Sequence, residues 1–387
     1  MEGYNSGNME NLNKRIFFVT NVDWFFISHR LPLALQAIKE GYEVYLLTAN
    51  TGRKEELEAM GIHFVIVPFE RSGRNPFHEL KCLWLLCKYY RRYRPNVIHH
   101  ITLKAALLGS LAAKLTFSRK VINAISGLGY NFTDGRDGLL QKIVRLFIHV
   151  AFKSDCFSFI LQNPDDVEMI NKLQLVPPAN IYLVKGSGID LREFNYTSPG
   201  NKNCINILFP ARILLDKGVM ELIEAAKSIR LKVKGKAKFI LAGDCDKENL
   251  AVLGEKDLCL LLESDYIEWI GFREDMLSVY KSSDIVVLPS YREGLPKSLI
   301  EACAVGRPII TTDVPGCREC VIPNHNGFLV QAKNIGELAN ALLMLIENAD
   351  LRLEFGLKSR ELAEKEFSID KVIKDTFQIY KTCLYQN

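Results

Sequence analysis

No stretch of this 387-residue sequence approaches the roughly 18 consecutive apolar residues of a membrane-spanning helix. The longest candidates, Ala105–Ala113 and Leu146–Val150, are broken by Lys114, His149 and Lys153. The opening residues 1–15 are polar and carry no apolar core, so a secretory leader is not expected. A disulfide framework is missing too. The ten cysteines lack even spacing, and Cys317 and Cys320 form a lone C-x-x-C with no second pair. Free thiols in a reducing cytoplasm are therefore the expectation. Gly127-Leu-Gly129 falls short of a dinucleotide fingerprint, because Phe132 stands where the third glycine would be. The net charge is only +4 and no nucleic-acid-binding module is visible, which argues against nucleic acid as a partner.

What is present is a globular composition, with 48% hydrophobic and 24% charged residues. Disordered, collagen-like and coiled-coil chains are excluded by it. The length suits two domains better than one core. Charge is unevenly placed: residues 1–198 hold 24 Lys+Arg against 18 Asp+Glu, and residues 199–387 hold 25 against 27. The excess concentrates between Arg71 and Arg94, where seven cations face one anion, Glu79.

Arg15–Thr20 reads as a fully buried strand, continuously apolar without alternation. A helix follows from about Ser28 to Glu40, with Gly41 as its stop. The cycle repeats through strands at Glu43–Thr48, His63–Val67, Asn96–His99 and Lys120–Ile125, with helices around 53–60, 78–93 and 105–114. The polar stretch Tyr196–Cys204, with Pro199 and Gly200, reads as a linker. After it the alternation restarts at Ile205–Phe209 and continues to a mostly helical end, 335–385. The expected fold is α/β, with two doubly wound, Rossmann-like domains facing a cleft. The domains are expected at 1–198 and 199–365, with a last helix, 366–387, returning to the first.

The most informative segment is Ser290-Tyr-Arg-Glu293-Gly-Leu-Pro-Lys-Ser-Leu-Ile-Glu301-Ala302. A strand ends, a short loop carries Glu293 and Gly294, and Pro296 stands where a helix begins. Free amides and the dipole at such a start form an anion site. Carboxylates beside it need hydrogen-bond donors, and hydroxyl-rich ligands supply them. Either glutamate alone reads as a helix-start or solvated loop charge; the whole arrangement does not.

This segment resembles the E-x7-E motif of retaining family 4 glycosyltransferases, which have the GT-B fold. Ala211-Arg212 through Lys217-Gly218 is similar to that family's diphosphate-binding pair, and Ile270-Gly271-Phe272 to its nucleotide loop. Thr312-Asp313 through Gly316 and Asn326–Val330 match the turns that close the domain. In the first half, Ser28–Pro32, His99–Lys104 and Ser126–Gly129 resemble the capsule and surface-polysaccharide branch. Where many relatives have a glycine-rich first loop, this chain has Asn21-Val22-Asp23-Trp24-Phe25-Phe26.

The resemblance implies catalytic roles for Arg212 and Lys217 at the diphosphate and for Glu293 at the donor sugar. It implies donor contacts at Glu301, Gly294, Leu295, Pro296, Lys297, Ser298, Gly271, Phe272 and Gly243. Acceptor contacts are implied at His29, Arg30, His100, Lys104, Gly127 and Gly129. Read alone, His99 is a strand-end core residue, and His29 equally serves helix packing. No metal or cofactor is implied: Asp244-Cys245-Asp246 has the D-x-D form of metal-dependent transferases of another fold, but reads as a polar loop.

The partners implied are a nucleotide diphosphate sugar, with uridine as the expected base, and a polyprenyl-diphosphate-linked saccharide. The expected activity is retaining transfer of a hexose or N-acetylhexosamine in capsule- or O-antigen-type polysaccharide synthesis. A sugar-nucleotide epimerase of the same architecture and a non-catalytic scaffold subunit are the alternatives. The stretches Leu80–Tyr93 and Leu139–Lys153 read either as helices with a solvated basic face or as a surface for anionic lipid. Lipid-linked acceptors favour the second, hence an expected peripheral place on the inner face of the cytoplasmic membrane.

Overall fold

The computed structural model describes residues 14–70, 75–127, 139–199, 203–246, 252–262 and 265–385. The first half alternates β1 (Arg15–Val22), α1 (Asp23–Lys39), β2 (Glu43–Ala49), α2 (Lys54–Ala59), β3 (His63–Ile66) and α3 (Pro76–Tyr93). It continues with β4 (Val97–His100), α4 (Leu103–Leu115), β5 (Val121–Ala124) and α5 (Leu139–Phe152). β6 (Phe157–Leu161), α6 (Pro164–Leu173) and β7 (Ile181–Leu183) complete it. The seven strands form one parallel sheet in the order β3-β2-β1-β4-β5-β6-β7. β1 is central, which is why Ile16–Val19 are all fully buried and none alternates with a polar residue.

The second half runs β8 (Ile205–Pro210), α7 (Val219–Ile229), β9 (Ala237–Ala242), α8 (Glu255–Leu261), β10 (Ile267–Trp269) and α9 (Met276–Ser282). Then come β11 (Ile285–Leu288), α10 (Lys297–Val305), β12 (Ile309–Thr312), β13 (Gly327–Val330), α11 (Ile335–Glu347), α12 (Ala349–Leu362) and α13 (Ile369–Tyr385). Its parallel sheet has the order β10-β9-β8-β11-β12-β13. Both sheets are doubly wound. Asn326–Val330, read as a closing turn, supplies edge strand β13, paired along Ile309–Thr312.

α1 begins at Asp23, five residues before the expected Ser28. An aromatic run such as Trp24-Phe25-Phe26 has modest helix propensity, but the buried Asp23 carboxylate sits in the first turn and accepts the Trp24 amide at 2.8 Å. The same carboxylate accepts from the Thr51 amide at 2.7 Å and from its hydroxyl, tying α1 to the loop after β2.

The chain crosses between the halves twice at one place. Ile189 donates its amide to Phe367 O, and the Ile369 amide donates to Ile189 O, both at 2.9 Å. From there α13 lies on the first sheet, with Val372, Ile379, Tyr380 and Cys383 in the cluster that holds Ile16 and Phe18.

Two histidines at the end of β4 are buried. His99 Nδ1 meets Tyr380 OH at 2.7 Å, and His100 lies 2.7 Å from Asn123 Oδ1 and 3.0 Å from Tyr90 OH. Burial lowers both pKa values, that of His100 to about 4. Unfolded imidazoles take up protons below about 6.5 while the folded ones do not, so stability falls as pH drops. From His100 alone the expected loss is about 3 kcal/mol between pH 6.5 and 4. Urea unfolding across that range should show it, and His100→Asn should flatten the slope by that amount.

Candidate active site

The carboxyl ends of both sheets face a shared cleft, where open α/β sheets bind ligands. A cavity of about 780 Å³ fills it. Asn21, Trp24, Phe25, His29 and Thr102 line it from the first domain, and Arg212, Gly243, Phe272, Ser298 and Glu301 from the second.

Lys217 ends a single 3-10 turn, Leu215–Lys217, directly before Gly218. Gly218 has φ 75°, and a Cβ there would lie 2.1 Å from Pro289 O. Only glycine allows this approach, which brings the turn after β8 against the end of β11. As a result Lys217 Nζ lies 2.5 Å from Glu293 Oε1, with side chains 16% and 15% exposed. Ser290, fully buried, donates its hydroxyl to the same carboxylate oxygen at 2.9 Å. Arg212 is held in the same way, its guanidinium donating to Asp246. The second aspartate of the D-x-D sequence thus holds an arginine. Among the described residues no three His, Cys, Asp or Glu side chains converge as a metal site would require.

Pro296 caps α10 without a side-chain acceptor; its carbonyl accepts the Leu299 amide at 3.0 Å, so the Lys297 and Ser298 amides are the ones a helix start offers to an anion. Glu301, on the helix's second turn, lines the cavity with Ser298. Burial raises its pKa, against the lowering effect of Lys297. Gly243 is packed too close to Ala211 O for any Cβ, and its carbonyl accepts from Trp269 at 2.7 Å. Gly271 stands at φ 69°, and Phe272 is exposed at the cavity wall.

Several expected contacts lie elsewhere. Leu295 is buried in the second domain's core. Lys297 donates across the cleft to Ser28 O at 2.8 Å. On the acceptor side, Arg30 is buried and donates to His29 O, its pKa lowered by burial to about 10. His100 is a core residue, satisfied by Tyr90 and Asn123 as described. Lys104, which starts α4 unfavourably for its charge, is neutralised by Glu79 at 2.5 Å and donates to Glu70 O. Gly129 lies outside the described residues. His29 does face the cavity; burial first, then Lys297 and Arg30, push its pKa down to about 3, so it is neutral. Its ring stacks on Phe25, centroids 4.0 Å apart. Gly127, at φ 85°, meets the backbone of Gly294 across the cleft.

Trp24, Phe25, Asn21, Thr102 and Tyr280 line the cavity without having been assigned a role. For Trp24 and Phe25 a signal existed: aromatics stand where many relatives have glycines.

Two family descriptions match, Glycosyl transferase 4-like over residues 15–159 and Glycosyl transferases group 1 over 193–362. The N,N'-diacetylbacillosaminyl-diphospho-undecaprenol alpha-1,3-N-acetylgalactosaminyltransferase of Campylobacter jejuni is 30% identical over 88% of this chain and 91% of its own. The chain belongs to the group 1 glycosyltransferases. The glycosyltransferase is also 24% identical to the UDP-Gal:alpha-D-GlcNAc-diphosphoundecaprenol alpha-1,3-galactosyltransferase of Escherichia coli, over 81% of this chain and 82% of that one. The crystal structure of a glycosyltransferase from Rickettsia africae superposes with TM-score 0.76 at 19% identity, covering 97% of this chain and all of that one. The fold is GT-B.

Lys217→Ala and Arg212→Ala should each lower the glycosyltransferase's turnover by about a hundredfold or more, because a preorganised donor to developing charge contributes about 2.7–4 kcal/mol. Circular dichroism at low temperature should show both proteins folded, with a lowered Tm for Lys217→Ala, whose shielded Glu293 loses its cation, and little change for the more exposed Arg212. Wild-type turnover in either variant would remove that residue from the mechanism.

Proposed function

We propose that this glycosyltransferase moves a hexose or N-acetylhexosamine from a uridine diphosphate sugar to a sugar on a polyprenyl diphosphate, with retention. The observation that carries it is the Lys217–Glu293 pair at the carboxyl end of the second sheet, on the domain whose Arg212 and α10 residues Ser298 and Glu301 line the cavity. The relatives named above act on undecaprenyl-diphosphate-linked sugars, and one takes its sugar from UDP-galactose. Capsule- or O-antigen-type polysaccharide synthesis is the setting that such a carrier suggests.

In this reading Lys217 and Arg212 exchange their carboxylate partners for the diphosphate. Their charge stabilises the leaving group as the bond between C1 and the phosphate oxygen breaks. Glu293, released from Lys217, accepts from the donor sugar's hydroxyls, and Glu301 from the ribose. The acceptor hydroxyl attacks the face the diphosphate leaves, and its proton passes to the departing phosphate oxygen. No metal or cofactor is needed, because two cations and a helix start supply the positive charge. An epimerase would release a free sugar product without any acceptor.

The acceptor's lipid requires a surface at the membrane. α3 buries Cys82, Leu86 and Tyr90 and exposes Phe77, Leu80 and Trp84, 81%, 60% and 61% accessible, on its other side. Lys88 lies 5.4 Å over the Trp84 ring. α5 exposes Leu146, Phe147 and Val150. Among the described residues no helix is long and apolar enough to cross a membrane, so these faces fit resting on the interface. We assign this chain to the cytoplasmic membrane's inner face on that ground.

Thermal-shift screening should show stabilisation by UDP above that by GDP or ADP, about 2.7 kcal/mol at 100 times Kd. Transfer from the UDP-sugar to a lipid-linked acceptor should survive EDTA. Loss on chelation with rescue by Mg²⁺ or Mn²⁺ would overturn the metal-free reading. Sedimentation with anionic vesicles should exceed that with neutral ones and weaken with salt. Replacing Lys88, Arg91, Arg92 and Arg94 together by Ser should abolish the difference; unchanged partitioning would return α3 to an ordinary solvated helix.

A further inference from the structure

The start of α6 reaches across the cleft to the loop that carries Glu293. Asn163 Nδ2 donates to Gly294 O at 2.7 Å, and Arg292 Nη2 donates to Asp166 Oδ1 at 3.0 Å. Arg292 and Gly294 are the residues on either side of Glu293, so the first domain grips both flanks of the catalytic carboxylate. A third contact lies further out, where Arg318 meets Asp165 at 3.1 Å.

The grip is itself rigid. Asn163 Oδ1 accepts the Asp166 amide at 2.8 Å, and Asn163 Nδ2 also reaches Asp166 Oδ2 at 2.9 Å. Asp166, its side chain 1% exposed, therefore has a fixed orientation before Arg292 arrives. On the far side, the Glu293 amide donates to Pro315 O at 3.2 Å within its own domain. Gly294 presses so closely on the first domain that a Cβ would lie 2.6 Å from the Ser126 carbonyl carbon. The loop is clamped between two domains, by Pro315 from its own and by Asn163 and Asp166 from the other.

We propose that Asp166 and Asn163 are positioning residues for Glu293, locking the Arg292–Gly294 loop when the domains close. The inference rests on the transfer reading for its effect on turnover, but not for its effect on the loop. Closing the cleft takes Asp166 and Arg292 out of water together, so neither is left as an uncompensated buried charge. Opening it returns both to solvent and frees the loop. Glu293 is then held against Lys217 by its own domain alone, with its flanks loose. In that reading the nucleotide is held by the second domain without the lock, and the lock serves Glu293's contact with the sugar as the bond at C1 breaks, hence the chemical step.

Arg292→Gln and Asp166→Asn test it in the full-length chain. Each should lower kcat by about tenfold or more while leaving the KM for the nucleotide sugar within about twofold. Hydrogen exchange of the ligand-free chain should speed up about tenfold at the amides of residues 291–295. Arg292→Lys, which keeps the charge, should recover part of both. A folded Arg292→Gln with wild-type kcat and wild-type loop exchange overturns the proposal, as does a loss confined to KM. Asp166 helps cap α6, so if its variant misfolds, Arg292→Gln decides. If the wild-type chain transfers no sugar from any donor, the transfer reading fails, and the exchange rates alone still judge the lock.

Discussion

The contact between Lys217 and Glu293 organises everything around it. Two opposite charges, each mostly shielded from water, are stable only while each has the other. That dependence fixes where the turn after β8 must lie relative to the end of β11, and Gly218 is the residue that permits it. It also means the site is never an empty hole with bare cations. In the proposed reaction a diphosphate entering the cleft would replace the carboxylate that neutralises Lys217, and the displaced carboxylate would accept from hydroxyls, so that one exchange would prepare both the phosphate and the sugar side. Arg212, after β8, makes a second and more exposed pair with Asp246, after β9.

Much of this was legible in the sequence. Buried parallel strands announce themselves as continuous apolar runs, because both faces are covered and no polar alternation is required. The grouping of Glu293, the start of α10 and Glu301 on the second domain is legible for a related reason: a strand end, a loop glutamate and a helix start lie within a dozen residues, so local order alone brings them together. Leu295 was the exception, since periodicity does not say which loop side chain turns inward. The first domain was read less well. Arg30, His100 and Lys104 are polar residues at strand ends and helix starts, which is how ligand contacts look. Arg30 instead donates to its neighbour His29 O, and His100 and Lys104 are satisfied by partners distant in sequence, Asn123 and Glu79. Pairings across that separation leave no trace in local pattern. The early start of α1 escaped for the same reason, since the loop that holds Asp23 is 28 residues away.

The acceptor face gains a character of its own from Asn21–Phe26. With Asp23 buried and bonded to Thr51, the aromatic residues after it have no freedom to withdraw from the cleft. Trp24 stands half exposed there, and Phe25 is fixed beneath the neutral ring of His29. The cavity therefore has flat apolar rings on one wall, Trp24 and Phe25, and charged groups on the other, Arg212 and Glu301.

The double crossing at Ile189 and Phe367–Ile369 bears on how such chains can diversify. The last helix is the final element of the sequence, yet it belongs to the core of the first domain. His99 pairs with Tyr380 and Ser158 with Cys383 over separations of 281 and 225 residues. Recombination within the linker would give a chimera whose first domain rests on another lineage's last helix, and exchange of whole first domains would need two simultaneous breakpoints, whereas point changes inside the cleft need none.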